Sequence, residues 1–180
     1  MKKLTPIALV LALNTFTDNA SADTWIGLDL GVGSSDYTSS SDNIDTSGVA
    51  SLTIGYELTP TWGTSVTLLT GSGTSIAKDD IGEATEADED LDYSAISLNA
   101  HRYFTLTDNQ SVYVSVGVNY NQTKVELLES TPIDESGAGY TLSAGWEYDF
   151  GQWRVRAGAQ RLGLSSVDVN TATLGIIVEF

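Results

Sequence analysis

From residue 24 to the end, apolar and polar side chains take turns along the chain. Ile26, Leu28, Leu30 and Val32 alternate with Gly27, Asp29 and Gly31, and Leu52, Ile54 and Tyr56 with Ser51, Thr53, Gly55 and Glu57. Val112, Val114, Val116 and Val118 alternate with Ser115, Gly117 and Asn119, and Leu142, Ala144 and Trp146 with Ser143, Gly145 and Glu147. A period of two puts the two kinds of side chain on opposite faces of a β-strand, whereas a helix needs repeats of three and four. The pattern predicts about eight strands, at residues 24–37, 49–58, 62–76, 93–106, 110–125, 140–150, 153–162 and 171–180.

The links between these segments alternate too. Those at 58–61, 107–109 and 150–152 are tight and carry turn residues, while those at 39–48, 77–92, 129–139 and 164–170 are expected to be mostly longer and polar. One end of the molecule then has short turns and the other has loops, the asymmetry of an up-and-down barrel in a bacterial outer membrane. Several segments exceed the roughly 9 to 11 residues that a tilted strand needs to cross a bilayer. The faces support this reading. The polar face is crowded with glycine and small hydroxyls, which suits the inside of a narrow barrel. The apolar face ends in aromatics on the short-turn side, with Tyr56, Trp62, Phe104, Tyr148, Phe150, Trp153 and Phe180 forming an expected girdle at the membrane interface. The predicted fold is all-β, an eight-stranded antiparallel up-and-down transmembrane β-barrel. A soluble secreted barrel with its apolar face inside is the fold-level alternative.

The first residues carry a different signal. Lys2 and Lys3 precede an apolar run at 6–13, and Ala20-Ser21-Ala22 is a small-x-small cleavage site. Residues 1–22 are therefore expected to be a cleaved secretory leader, with the barrel domain occupying 23–180. The apolar run is shorter than the roughly 20 residues of a spanning helix. The chain has no cysteine, which excludes disulfides, thiol catalysis and cysteine-ligated metal. With 24 acidic against 8 basic side chains, the net charge of −16 excludes a nucleic-acid partner, because phosphate binding needs a basic surface.

The final strand, 171–180, has Ala172, Leu174, Ile176, Val178 and Phe180 on one face and stops on the aromatic residue. Together with the alanine-x-alanine site and the alternating strands, this resembles the small outer-membrane barrels of the OmpA-like and OmpX-like group. The resemblance covers the whole chain after the leader, through pattern, with no family-specific loop motif. It implies a monomeric integral protein of a Gram-negative outer membrane, in contact with outer-membrane lipid and lipopolysaccharide. It also implies that the outer-membrane barrel-assembly machinery reads the last strand, making Phe180, Val178 and Ile176 an assembly signal. No peptidoglycan-binding domain is expected after the last strand.

Candidate chemistry is sparse. His101 is the only histidine, and strand parity points it inward, where a bond to a neighbour such as Ser115 is expected in place of catalysis. Glycine-rich pieces at 31–33 and 71–73 lie in strands with no following helix, so no phosphate-cradling loop is supported. Counting back from the Gly151-Gln152 turn pairs Asp149 with Arg154 and Glu147 with Arg156 across the hairpin, all facing inward. Glu57, Glu179 and Asp29 face the same lumen, so an ion-pair network is expected to plug it. Lys124 and Arg161 point outward near the loop end, at the height of lipopolysaccharide phosphates, and Arg102 outward at the opposite rim. The run at 79–92 holds Asp79, Asp80, Glu83, Glu86, Asp88, Glu89, Asp90 and Asp92 without the spacing of a calcium loop. A mobile, protease-sensitive loop is expected there, with weak divalent-cation bridging to lipopolysaccharide left open. No catalytic residue, cofactor or structural metal is expected. The leading function class is a non-enzymatic barrel with acidic external loops for surface interaction or envelope integrity. A narrow porin-like channel and a lipid A-modifying barrel enzyme are the alternatives.

Overall fold

The computed structural model describes residues 24–37, 43–78, 84–127, 133–165 and 167–180. Eight strands follow one another: β1 (Thr24–Tyr37), β2 (Asn43–Thr59), β3 (Trp62–Lys78), β4 (Ala84–Thr107), β5 (Gln110–Leu127), β6 (Ile133–Asp149), β7 (Trp153–Gly163) and β8 (Val167–Glu179). Each pairs antiparallel with the next, and β8 pairs with β1, so the sheet closes into a barrel in chain order. The closing seam runs from Trp25 opposite Glu179 to Tyr37 opposite Val167. Beyond it the Phe180 amide donates to the Thr24 carbonyl at 2.9 Å.

Inside and outside follow the sequence parity. Leu28, Leu30, Val32, Val116, Val118, Leu174 and Ile176 are exposed on the outer wall, whereas Asp29, Thr53, Asn99, Ser115 and Glu147 are buried within. An apolar exterior around a polar interior is stable only with hydrocarbon outside. At the short-turn end Trp146, Tyr148, Phe150 and Trp153 form a continuous row of ring contacts, with centroid separations of 5.9, 4.6 and 4.1 Å, the last pair stacked and the others tilted. Arg102 lies over Trp62 and Phe104, 4.9 and 5.6 Å from their ring centres. The turns themselves are locally closed. Gly151 takes a φ of 101°, which only glycine adopts freely, and its amide donates to Asp149 Oδ1 at 2.6 Å.

The other end differs from the sequence expectation. The four links expected there to be long are shortened because the strands continue into them: β2 begins at Asn43, β4 at Ala84, β6 at Ile133 and β8 at Val167. Most of the acidic run therefore belongs to β4, whose backbone is paired with β3 up to Ala84 opposite Lys78 and with β5 up to Glu89 opposite Leu127. Beyond the lipid the outer face meets water, so its positions carry charge, as at the exposed Asp90 and Asp92 on either side of the buried Leu91, and ladder hydrogen bonds hold the backbone there. Residues 79–83 of that run lie outside the described residues. The expected polar link at 164–170 is a tight turn, closed by the Leu164 amide donating to the Val167 carbonyl at 2.9 Å.

Candidate functional site

The lumen is built in three layers. The innermost, at the short-turn end, is the charged one. The hairpin of β6 and β7 sets Glu147 opposite Arg156 and Asp149 opposite Arg154, the register counted from the turn. Both guanidiniums converge on Glu147. Its Oε1 accepts from Arg156 Nε at 2.8 Å, and its Oε2 from Arg154 Nη1 at 3.1 Å. Arg154 Nη2 also reaches Glu57 at 2.7 Å and Glu179 at 2.6 Å. One arginine thus ties β2, β6, β7 and β8 together. Arg156 lies between two ring faces, 5.1 Å from the centre of Trp25 and 4.6 Å from that of Tyr113. The Trp25 ring in turn lies over Gly55, where any β-carbon would overlap it.

Two members expected in this network stand apart from it. Asp149 faces Arg154 in the register but caps its own turn through Gly151, because a carboxylate two residues before a turn amide reaches that amide without leaving its strand end. Asp29 lies one layer higher and accepts from Ser51 Oγ at 3.4 Å, sharing a chamber with Arg156 but not an ion pair.

That middle layer is polar, with hydroxyl and amide side chains outnumbering its charges. A space of about 40 Å³ is lined by Asp29, Thr67, Asn99, His101, Thr141 and Arg156 among others. Its walls are cross-linked by hydroxyl pairs, Thr53 with Thr67 at 3.0 Å and Ser97 with Thr141 at 3.2 Å. His101 points inward and is buried, but its partner is Ser65, not Ser115: Nε2 and Oγ are 2.7 Å apart. Ser115 is its register partner on β5, yet the ring leans toward β3 and stacks beside Tyr103 at 6.0 Å. A serine and a histidine at hydrogen-bond distance have the spacing of a nucleophile and its base, and both are buried inside the barrel.

The outer layer was not expected. Val49, Leu69, Leu91, Tyr93, Val125, Leu162, Leu164, Val167 and Val169 point inward and pack into one buried cluster across the loop end. Five of them, Leu91, Val125, Leu162, Val167 and Val169, are no more than 1% exposed. This is a largely apolar cap over the polar chamber. The parity that turns Asp29 and Glu147 inward also turns these residues inward; counting inward positions separately for each end of the barrel finds them. The same count finds Trp25, Tyr103 and Tyr113 around the arginines.

On the outer wall, Arg161 Nη2 pairs with Asp168 Oδ2 at 2.8 Å, and its Nε donates to the Tyr140 hydroxyl at 3.1 Å. Lys124 is half-buried in an outward cleft, opposite Asp92 on one side and Asp134 on the other. Ile176 and Val178 lie on the exposed apolar face of β8 with Leu174, and Phe180, just past the strand end, is exposed beside them. Among the described residues no three potential metal-ligating side chains come together, a statement that does not extend to the side chains at 79–89.

The family described as outer membrane protein beta-barrel domain matches residues 5–180. No curated protein matches the sequence. Solved structures with the same architecture include Neisserial surface protein A, with a TM-score of 0.66 and 14% identity over 89% of this chain and all of that one. Ail, the attachment invasion locus protein of Yersinia pestis, has a TM-score of 0.59 and 17% identity over 89% of this chain and all of that one. OprG of Pseudomonas aeruginosa has a TM-score of 0.60 and 13% identity over 89% of this chain and 96% of that one. Identities this low establish a shared fold.

Proposed function

The chain belongs to the outer membrane protein beta-barrel domain family, and from that membership we propose that it is a closed outer-membrane wall that displays an acidic surface, neither a channel nor an enzyme. The observation that carries this reading is the pair of stacked seals. A conducting path would have to cross a tightly packed, largely apolar cap and then a shared ion-pair cluster, and each opposes the passage of hydrated ions. Against catalysis stands the position of His101, spent on Ser65 inside the lumen and out of reach of the lipid that a barrel enzyme would modify. In favour of surface contact stand Asp90, Asp92, Asp134 and Glu135, all exposed on strands that rise beyond the apolar belt.

With short turns in the periplasm, that rise faces the cell exterior. The neighbours named for attachment and for the surface suit a display role. Ail has been crystallised with the heparin analogue sucrose octasulfate; the acidic rise here suits the opposite partner chemistry, cationic groups or anions carrying divalent counter-ions. Cleavage after Ala22, recognition of Phe180, Val178 and Ile176 by the assembly machinery, lipopolysaccharide contact at Lys124 and Arg161, and a monomeric state belong to the same proposal. Planar-bilayer recording tests its core. Purified wild type should give no steady open level; large, steady single-channel currents would overturn the closed-wall reading and promote the pore.

A further inference from the structure

Three rows of side chains stack up the outer wall where β3, β4, β5 and β6 lie side by side, and the registers define them. The lowest is Leu68, Ile96, Tyr120 and Ala138; the next is Thr70, Ser94, Gln122 and Ser136; the third is Ser72, Asp92, Lys124 and Asp134. Rows two residues apart are separated by about 6.6 Å along the strand. Within about 13 Å the wall therefore passes from hydrocarbon through an aromatic to neutral hydrogen-bonding groups and then to charge.

Two hollows follow the same gradient. The lower, about 290 Å³, is lined by Leu68, Ile96 and Tyr120, and the upper, about 550 Å³, by Thr70, Asp92, Lys124 and Asp134. Ser94 and Gln122 line both, so they form one continuous groove. The hollow exists because the second row sets short side chains, Thr70, Ser94 and Ser136, on either side of the long Gln122 and above the large Tyr120.

We propose that this groove is a binding site for one molecule of phosphorylated glycolipid of the outer leaflet, with an acyl chain along Leu68 and Ile96 and the sugar against Ser94 and Gln122. The headgroup phosphate meets Lys124, and a divalent counter-ion bridges it to Asp92 and Asp134. This rests on the closed-wall reading and gives its surface a specific lipid. The position selects the ligand class: these residues face out of the barrel at the upper edge of the apolar belt, where an amphiphile of the surrounding leaflet is the ambient solute. The charges select within that class. A cation flanked by carboxylates on both neighbouring strands repels a simple anionic lipid, but it complements a phosphate that arrives with its divalent ion. Hydroxyl and carboxamide groups below the charge suit sugar hydroxyls better than a glycerol headgroup. Arg161, the other outward cation near this height, also lines a hollow, of about 820 Å³ with Val32, Leu142, Ala144, Ala159 and Ala172, but no carboxylate lines that hollow to hold a bridging cation.

Native mass spectrometry of the folded, detergent-solubilised barrel, with lipid A or phosphatidylglycerol added in the presence of magnesium, tests the site. The expected result is retention of a single lipid A about tenfold over phosphatidylglycerol, a preference lowered by a magnesium chelator. Ser94→Trp, which fills the junction of the two hollows, should abolish that preference while heat-modifiable gel mobility shows a folded barrel. If that variant does not fold, Gln122→Ala should weaken the preference several-fold, and Asp92→Asn should remove its dependence on magnesium. Equal retention of both lipids, or lipid A retention unchanged in Ser94→Trp and Gln122→Ala, would overturn the site. Bilayer recording on the same preparations separates the two readings, since a silent wild type without lipid preference ends this inference and leaves the closed wall standing.

Discussion

Replacing Glu147 with glutamine keeps the shape of the side chain and removes its charge. Glu147 is 1% exposed and is the carboxylate both lumen arginines share. Arg154 would keep Glu57 and Glu179. Arg156 would not be so provided for: among the described residues its one ion pair is with Glu147, and what remains is two ring faces and an Asp29 that shares its chamber without touching it. Breaking a buried pair by removing one partner costs about 3–5 kcal/mol, because the other charge stays behind. The rings and Asp29 offset part of that, so the lower end, about 3 kcal/mol, is the expected loss. At a urea slope of about 2 kcal/mol per molar, the unfolding midpoint in lipid vesicles should fall by roughly 1.5 M. Tryptophan fluorescence follows the transition directly, since Trp25 stacks on Arg156, and gel mobility of unheated samples gives an independent measure. A second substitution sharpens the test. Arg156→Met in the Glu147→Gln background removes the stranded charge and should recover much of the lost stability, as buried pairs exchanged for apolar residues generally do. The exposed Arg161→Ala, which breaks the Asp168 pair, serves as the control and should leave the midpoint unmoved. If Glu147→Gln behaves like that control, or if the double variant is less stable than the single, the lumen cluster is not the linked unit described.

Gly55→Val should destabilise the barrel by about 1–3 kcal/mol, because a β-branched side chain there overlaps the Trp25 ring and pushes it off Arg156; denaturant midpoints measure it. Backbone amides from Glu89 to Asp92 should exchange with deuterium more slowly than a solvated loop would, since they are ladder-paired to both β3 and β5, and rapid complete exchange there would contradict the strand extension. Deleting Phe180, or changing it to a charged residue, should slow insertion in cells more than the loss of one aromatic at the interface explains; unchanged yield and gel mobility would leave Phe180 only a girdle residue. External protease on intact cells should spare the turn at 107–110, and cleavage there would mean that inside and outside are reversed.

The period-two alternation was enough to determine a great deal. Because parity survives every turn of known length, it yielded the strand count, the closed antiparallel order, which residues face lipid, and the opposition of Glu147 to Arg156. Apart from the closure of β8 on β1, each of these is local: it depends on neighbours along one chain or across one hairpin. The strand ends beyond the lipid were not legible, since there the outer face meets water and its positions no longer carry the apolar half of the alternation. Nor was the choice of partner within the lumen. Asp149 and Arg154 are opposed in register, yet one bonds its own turn and the other gathers Glu57 and Glu179 from strands that come within reach only when the barrel closes. His101 likewise turns to Ser65 in place of Ser115. The apolar cap shows the same limit, since Leu91, Val125, Leu162 and Val167 become one cluster only through curvature that brings β4, β5, β7 and β8 around a common axis. A period assigns a side chain to a face; only closure decides what it meets there, because those contacts join residues far apart in the chain at distances set by the barrel's radius.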